Sequence, residues 1–479
     1  MNRPIRRVAV LAMIMFALLL VNGTYSAVFR TDSLNADPRN RRVRDAEFGQ
    51  DRGAILVGGT SIALTKPVDD RFRYQRSYPQ GELYAPVTGY YSYDHARTGL
   101  EATFNTQLAG TDDSLFVRRM IDVITNRTPQ GASVQTTLDA KAQEAAAKAL
   151  GDNHGAVVAI DPRTGAILAM VTNPSYDPNK IASHDIGAAE DAYQDLVKDK
   201  DQPLTNRAAR EVYPPGSTFK LVTAAAALEA GGKNADSKVE SPNRLKLPNT
   251  NIFLGNDTNC GGTKITIEQA LRVSCNTAFA NLGLELGADA LRTQAEKFGF
   301  DRAQLTELNG VASRFPDNPD LPQTALSAIG QYDVASTPLQ MAMVSAAVAN
   351  NGVLMKPYVV SEVRTANLQS VYTARADELS RPLSTANAQV MQQMMVGVVA
   401  NGTGRNAQIS GVTVGGKTGT AQSVPNRKPF AWFTSYAQSG DQSVAVAVVI
   451  EDADIARNDI AGGRLAAPVA KAVMEAVLT

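Results

Sequence analysis

Hydrophobic and polar positions along this chain fall into three regimes. The first follows Arg3, Arg6 and Arg7, where the residues from Val8 to Val21 are apolar without a break. Weaker apolar character continues through Tyr25 and Ala27 to Phe29. As a helix, Val8 to Phe29 spans roughly 33 Å, enough to cross a bilayer. The basic flank orients such a span with its N-terminus inside and everything after Arg30 outside the cytoplasm. A cleaved signal peptide is the alternative reading, because an apolar run of this length also suits its hydrophobic region. The Thr24-Tyr25-Ser26 context is a poor cleavage site and favours an uncleaved anchor. Both readings export the rest of the chain.

The second regime is mixed. Residues 31 to about 50 are charged and poor in apolar positions, and are expected to form a juxtamembrane stalk. From 51 to about 124, short β-type runs such as "RGAILVGG" and "ELYAPVTGYYS" alternate with turns and predict a small β-rich unit. "TNRTPQGAS" (Thr125 to Ser133) has the Pro, Gly and polar content of a linker.

The third regime carries strong periodicity. "TLDAKAQEAAAKAL" predicts a helix with Thr137 or Asp139 near its start and Gly151 after its end. "GAVVAIDPRTGAILAMVT" is two apolar runs around Asp161-Pro162-Arg163-Thr164-Gly165, a hairpin. A long middle rich in Ala, Leu and helix caps follows. "FAWFTSYA" and "SVAVAVVIE" are again strands, and "LAAPVAKAVMEAVLT" is a closing helix. The expected organisation is a cytoplasmic tip and anchor over 1–30, a stalk and β-rich pedestal over 31–132, and an α+β domain (an α/β sandwich) over 133–479. In that domain a sheet assembled from both ends of the segment surrounds a helical insert.

Composition narrows the chemistry. A chain of 479 residues with 44% hydrophobic and 20% charged residues is long enough for two or three ordinary domains. Its formal net charge is zero, so no bulk field argues for nucleic acid. The three histidines (His95, His154, His184) and two cysteines (Cys260, Cys275) are scattered, and no metal or cofactor is expected.

"GVTVGGKTGT" (Gly411 to Thr420) fits the phosphate-loop pattern of nucleotide hydrolases, and "AVAVVIED" ends an apolar run in Glu451 and Asp452. A phosphate loop must open into a helix whose N-terminus faces the phosphates. Here Gly419, Pro425 and Pro429 follow Lys417, so the segment is expected to be a strand that leaves into a loop. An exported domain also meets little ATP, and no nucleotide is expected.

Two further short motifs stand beside this one. "YPPGSTFKLVTAAAALEAGG" places Ser217 three residues before Lys220 at the start of a helix, on one face. Ser217 lies in the first turn, where unpaired N–H groups favour developing negative charge. Lys220 can serve as its base if burial and a neighbouring cation lower its pKa. Alone, this spacing is common by chance. "ALRVSCNTAFANLG" puts Ser274-Cys275-Asn276 between two helical stretches, a pattern that on its own fits a helix cap.

Taken in order, Ser217-x-x-Lys220, Ser274-x-Asn276 and Lys417-Thr418-Gly419 form the motif set of penicillin-binding proteins and serine β-lactamases. From about Ser133 onward the chain resembles the transpeptidase domain of class B penicillin-binding proteins. "LTNRAAREVYPPGSTFK", "AIGQYDVASTPLQMAMVSAAVANNG" and "NGTGRNAQISGVTVGGKTGTAQ" carry the resemblance further. "RGAILV" and "YPQGELYAPVTGYYS" are similar to the family's pedestal (dimerisation-like) region, and the overall length is most like its short actinobacterial, A-type members.

The resemblance implies a membrane-bound D,D-transpeptidase. Ser217 attacks a stem peptide of peptidoglycan or its lipid-linked precursor, Lys220 is the base, Ser274 relays a proton, and Asn276 orients Lys220. Lys417 keeps the site positive, Thr418 and Thr420 bind the terminal carboxylate, and the N–H groups of Ser217 and Thr420 form the oxyanion hole. Gly419 is expected to leave room for substrate backbone along the strand. It also implies β-lactams as acylating ligands and cell-wall synthesis or division proteins as partners. A D,D-carboxypeptidase, a slow β-lactamase and a non-catalytic β-lactam sensor or scaffold are the competing readings. Rapid β-lactam hydrolysis is not expected, because in "LTELN" the position of a deacylating glutamate is Leu305 and Glu307 is out of place. Cys260 and Cys275 are either bridged, bracing the Ser274–Asn276 segment, or two buried thiols.

Overall fold

The computed structural model describes residues 3–30, 41–112, 130–422 and 427–478. Arg3–Phe29 is one continuous helix, long and apolar enough to cross a membrane, and none of it is buried against the rest of the chain. Of the expected stalk, residues 31–40 lie outside the described residues, and Arg41–Phe48 is a short helix. Its Phe48 is buried against Phe72 and Tyr91, so this end docks onto the pedestal.

The pedestal contains strands Ile55–Val57, Thr60–Pro67 and Tyr74–Ser77. They are half of a six-stranded sheet completed by Ser133–Thr136, Val360–Arg364 and Ser370–Thr373. Val134 pairs in parallel with Ile55 and antiparallel with Val363. The pedestal sheet is thus continuous with chain that returns more than two hundred residues later. Of the expected linker, Thr125–Pro129 lie outside the described residues. Ala132 is fully buried, and Ser133 opens a sheet strand instead of belonging to a loop. The run "ELYAPVTG" is not β-type: Gly81–Thr88 is a helix. Its buried Tyr84, Val87 and Thr88 follow the i, i+3, i+4 period of one helical face.

The larger sheet has five antiparallel strands: β1 (Gly155–Ile160), β2 (Ile167–Asn173), β3 (Thr413–Ala421), β4 (Phe430–Ser439) and β5 (Gln442–Ile450). Their order is β3-β4-β5-β1-β2, so β3 is an edge strand. Both faces are covered, which is why the strands read as unbroken apolar runs. On β4, Ala431, Phe433 and Ala437 join the outer core, while Phe430, Trp432 and Tyr436 join the inner one. The outer face carries α1 (Ala140–Leu150), N-capped by Asp139, whose side chain accepts from Ala142 N. The inner layer contains α2 (Lys220–Glu229), α3 (Ile267–Arg272), α4 (Asn276–Leu286) and α5 (Pro338–Ala349). α6 (Thr385–Asn401) precedes β3, and α7 (Gly462–Leu478) lies beside α1 on the outer face.

Candidate active site

The nucleophile turn is built by glycine and held by the edge strand. Gly216 has φ +52°, a left-handed value that favours a residue without Cβ. Its N–H donates to Gly330 O at 2.9 Å. A Cβ at Gly216 would lie 2.9 Å from Ala421 Cβ and 3.2 Å from Thr420 O, so the turn presses directly on the end of β3. Gly216–Phe219 is a 3-10 turn and α2 begins at Lys220. In 3-10 geometry side chains three residues apart eclipse, which aligns Ser217 and Lys220 on one face of the turn. α2 is buried on every side from Lys220 to Leu228, so Lys220 is carried into the centre of the inner layer while Ser217 stays half-buried at its edge.

Ser274 sits at the hinge between α3 and α4 with φ +60°, an uncommon backbone state for a residue with a side chain. The hinge is braced on its far side by a Cys260–Cys275 disulfide. Lys220 Nζ donates to Ser274 O at 2.8 Å and to Asn276 Oδ1 at 2.6 Å, and lies 3.3 Å from Ser274 Oγ. A neutral amine has two N–H groups and a lone pair. The two carbonyl oxygens occupy the N–H groups and leave the lone pair to accept a proton.

Register decides what β3 presents. Lys417 pairs with Thr434, Gly419 with Trp432 and Ala421 with Phe430, so these three face the inner layer. Lys417 is fully buried, and its Nζ donates to Ser274 Oγ at 2.8 Å and to Thr418 O at 2.9 Å. Ser274 Oγ therefore lies between two amines. Accepting from Lys417 leaves its own proton to donate toward Lys220. Burial, and then the neighbouring Lys417, push the Lys220 amine well below its ordinary range, against an opposing pull from Asp257. Burial lowers Lys417 to about 7, again with Asp257 opposing.

Thr418 and Thr420 face the other way. Thr420 is exposed. The Thr418 hydroxyl is buried and shares a hydrogen bond of 2.6 Å with Thr403 Oγ1. The Gly419 expectation needs correction. A Cβ there would lie 3.0 Å from each of Pro215 O, Thr218 Cγ2 and Trp432 Cβ. Its missing side chain makes room for the nucleophile turn, because register aims it inward rather than along the open edge. The phosphate-loop pattern lies in a strand whose residues pair one by one with β4 from Thr413 to Ala421. Among the described residues, no helix lies between β3 and β4 to point free N–H groups at a phosphate.

Several residues acquire partners that their motifs did not announce. Asp257 Oδ2 accepts from Asn276 Nδ2 at 3.2 Å. Thr403 enters through its hydroxyl contact with Thr418. Glu451 is a buried anchor: it accepts from Arg207 Nε at 2.8 Å, Tyr213 OH at 3.3 Å and Arg427 at 2.5 Å. It ties the end of β5 to the segment that leads into the nucleophile turn. Asp257 and Thr403 stand in polar loops with no periodicity to mark them. Glu307 lies on the pedestal side, where its carbonyl accepts from Thr103 Oγ1 at 2.8 Å, and Leu305 is buried. His184 pairs with Asp70 at 2.5 Å beside Phe72, in the pedestal rather than near Ser217.

A family model described as the penicillin-binding protein transpeptidase domain matches residues 155–475. The chain belongs to the penicillin-binding protein transpeptidase family. A second model, the penicillin-binding protein A dimerisation domain, matches residues 52–134. The chain is 42% identical to the peptidoglycan D,D-transpeptidase PbpA of Mycolicibacterium smegmatis, over 100% of this chain and 99% of the relative. It is 41% identical to PbpA of Mycobacterium tuberculosis, over 100% and 99%. Among solved structures it is similar to penicillin-binding protein A from M. tuberculosis as a ceftriaxone acyl-enzyme complex. That match has a TM-score of 0.87 and 40% identity, and covers 91% of this chain and 100% of that one.

Proposed function

We propose that this penicillin-binding protein is a peptidoglycan D,D-transpeptidase that works through an acyl-enzyme on Ser217. The observation that carries this reading is the Ser274 hydroxyl, 2.8 Å from the Lys417 amine and 3.3 Å from the Lys220 amine. In the first step Ser217 Oγ attacks the penultimate D-alanine carbonyl of a stem peptide while neutral Lys220 takes its proton. The N–H groups of Ser217 and Thr420 stabilise the oxyanion, each worth about 3 kcal/mol, a pairing that the contact of Gly216 with the end of β3 supports. The proton then passes through Ser274 to the departing D-alanine nitrogen as its C–N bond breaks. An amine of a second stem attacks the ester, transfers its proton back by the same route, and releases Ser217 with a new peptide bond. Protonated Lys417, with Thr418 and Thr420, receives the terminal carboxylate. A β-lactam opens its ring on the same serine.

The remaining assignments belong to the same reading. Residues 1–30 are the cytoplasmic tip and a single-pass anchor in the cytoplasmic membrane, with Arg3, Arg6 and Arg7 inside and the catalytic domain outside. Residues 31–132 are stalk and pedestal and 133–479 the transpeptidase domain, although the six-stranded sheet spans that division. The pedestal offers a scaffold for cell-wall synthesis or division proteins.

The test is a fluorescent penicillin with intact-mass analysis of wild type and Ser217→Ala. Wild type gains one adduct and Ser217→Ala none; equal labelling of both would end the reading. A cross-linked product from purified pentapeptide precursors separates transpeptidase from carboxypeptidase.

A further inference from the structure

The Gly255–Cys260 segment is fastened to the Ser274–Asn276 hinge more firmly than an exposed loop requires. Asn256 Oδ1 accepts from Thr277 N at 2.9 Å, Asn256 Nδ2 donates to Thr277 Oγ1 at 3.0 Å, and Thr258 Oγ1 donates to Val273 O at 2.8 Å. Cys260 is bonded to Cys275. Between these anchors stands Asp257, an exposed carboxylate that no motif of the site includes.

We propose that Asp257 is a positioning residue of the reaction, holding the Asn276 amide in the orientation Lys220 needs and supplying the negative charge that balances the two buried amines. Asn276 Nδ2 lies 3.2 Å from Asp257 Oδ2 and 3.3 Å from Gly255 O. Both partners only accept, so the NH2 end must face them. The carbonyl end then faces Lys220 Nζ at 2.6 Å. Turned over, the amide would set its oxygen against two acceptors and two donors against the amine. Asp257 therefore stands two hydrogen bonds from the catalytic base.

Its charge acts as well. The nucleophile turn, α2, the hinge, the Gly255–Cys260 segment and β3 enclose the amines. Among the described residues there, the ionisable groups that act on Lys220 are Lys417 and Asp257, and the one that acts on Lys417 is Asp257. The carboxylate favours the ammonium form of both. Activity requires Lys220 without its proton and Lys417 with it, which gives an acid limb and an alkaline limb. Removing the charge lowers both pKa values, so the whole bell moves to lower pH.

This rests on the Ser217 acylation reading, and the experiment keeps the two apart. The rate of labelling by a fluorescent penicillin is measured against pH for the full-length wild type, Asp257→Asn, Asp257→Ala and Asp257→Glu. Asparagine retains an acceptor for the Asn276 amide and loses the charge. It is expected to keep a maximum rate within about threefold of wild type and to shift the bell down by about half to one pH unit. Alanine is expected to give the same shift with a rate roughly tenfold lower, and glutamate to restore the wild-type position. Asp257 is exposed, so unchanged denaturation midpoints are expected and serve as the folding control. A bell that stays in place in Asp257→Asn overturns the proposal, whatever happens to the rate. Failure of wild type to label would instead sink the acylation reading.

Discussion

The pedestal and the catalytic cleft each bury a cluster of charged side chains, and the two are wired in opposite ways. In the pedestal, Glu101 is fully buried between Arg52 and Arg76. It accepts from Arg52 at 2.8 Å and Arg76 at 2.5 Å, with Tyr78 OH at 3.2 Å. Burial alone would raise the Glu101 carboxyl, but the two guanidiniums hold it below its ordinary range. In the cleft, Lys220 and Lys417 are equally buried and share only hydroxyl, carbonyl and amide partners. Burial lowers both amines, and the neighbouring Lys417 lowers Lys220 further. A buried carboxylate with opposite charges stays ionised and clamps the segments that carry them together. Of two buried amines, the one that also faces a like charge gives up its proton more readily and becomes the base. Burial alone does not make a catalytic group; the sign of the neighbours does.

That contrast can be broken most severely at the base. Lys220→Met keeps the volume and removes the amine; labelling by penicillin is expected to fall at least about a thousandfold. Its denaturation midpoint is expected to stay close to wild type, because relief of amine desolvation offsets the donors lost to Ser274 O and Asn276 Oδ1. Glu101→Gln is the converse. It leaves two buried guanidiniums without a counter-charge and is expected to destabilise by about 3–5 kcal/mol. Labelling of the folded fraction should remain within about twofold of wild type. Slow labelling of Glu101→Gln at full stability would erase the distinction between the clusters. Gly419→Ala forces its new methyl against Pro215 O, Thr218 Cγ2 and Trp432 Cβ. Acylation is expected to slow by roughly tenfold, the effect of displacing the nucleophile turn by a few tenths of an ångström.

The mildest effect is pH. Lys417 has its amine at about 7 in the free protein. Labelling by an anionic β-lactam is expected to fall by half as pH rises to that value and to decline further above it. Stability rises with pH at both clusters, but in different windows. Glu101 contributes stability that is present above the unfolded carboxylate range and is lost as pH falls through its lowered value. Lys417 imposes its full cost below about 7, where folded and unfolded states both hold the proton, and the cost is relieved as pH rises toward the ordinary 10.5.

Much of the main sheet was legible because its elements announce themselves locally. The hairpin about Asp161–Gly165, the capped helix after Asp139, the strands β4 and β5 and the closing helix follow from periodicity and turn residues. The pedestal was less legible. "ELYAPVTG" contains aromatic and β-branched residues that favour a strand, yet its buried positions repeat with the helical period. Ser133 closes a polar, Pro/Gly-containing run, yet its neighbour Ala132 is buried and Val134 pairs with both Ile55 and Val363. Such pairings join segments far apart in sequence, where local propensity carries no information.

By itself the sequence determined which functional groups exist and roughly how they are borne: a hydroxyl and an amine three residues apart on Ser217 and Lys220, a second hydroxyl and an amide on Ser274 and Asn276, and a lysine in a strand. It also separated Lys417 from a nucleotide site, because Gly419, Pro425 and Pro429 forbid the helix that a phosphate loop needs. Tertiary structure decided the rest. It set the register that turns Lys417 and Gly419 inward and Thr418 toward Thr403. It closed the nucleophile turn against β3, and it placed Asp257 beside Asn276. Burial, register and long-range approach are properties of the packed chain, and they turn an ordinary amine into a base.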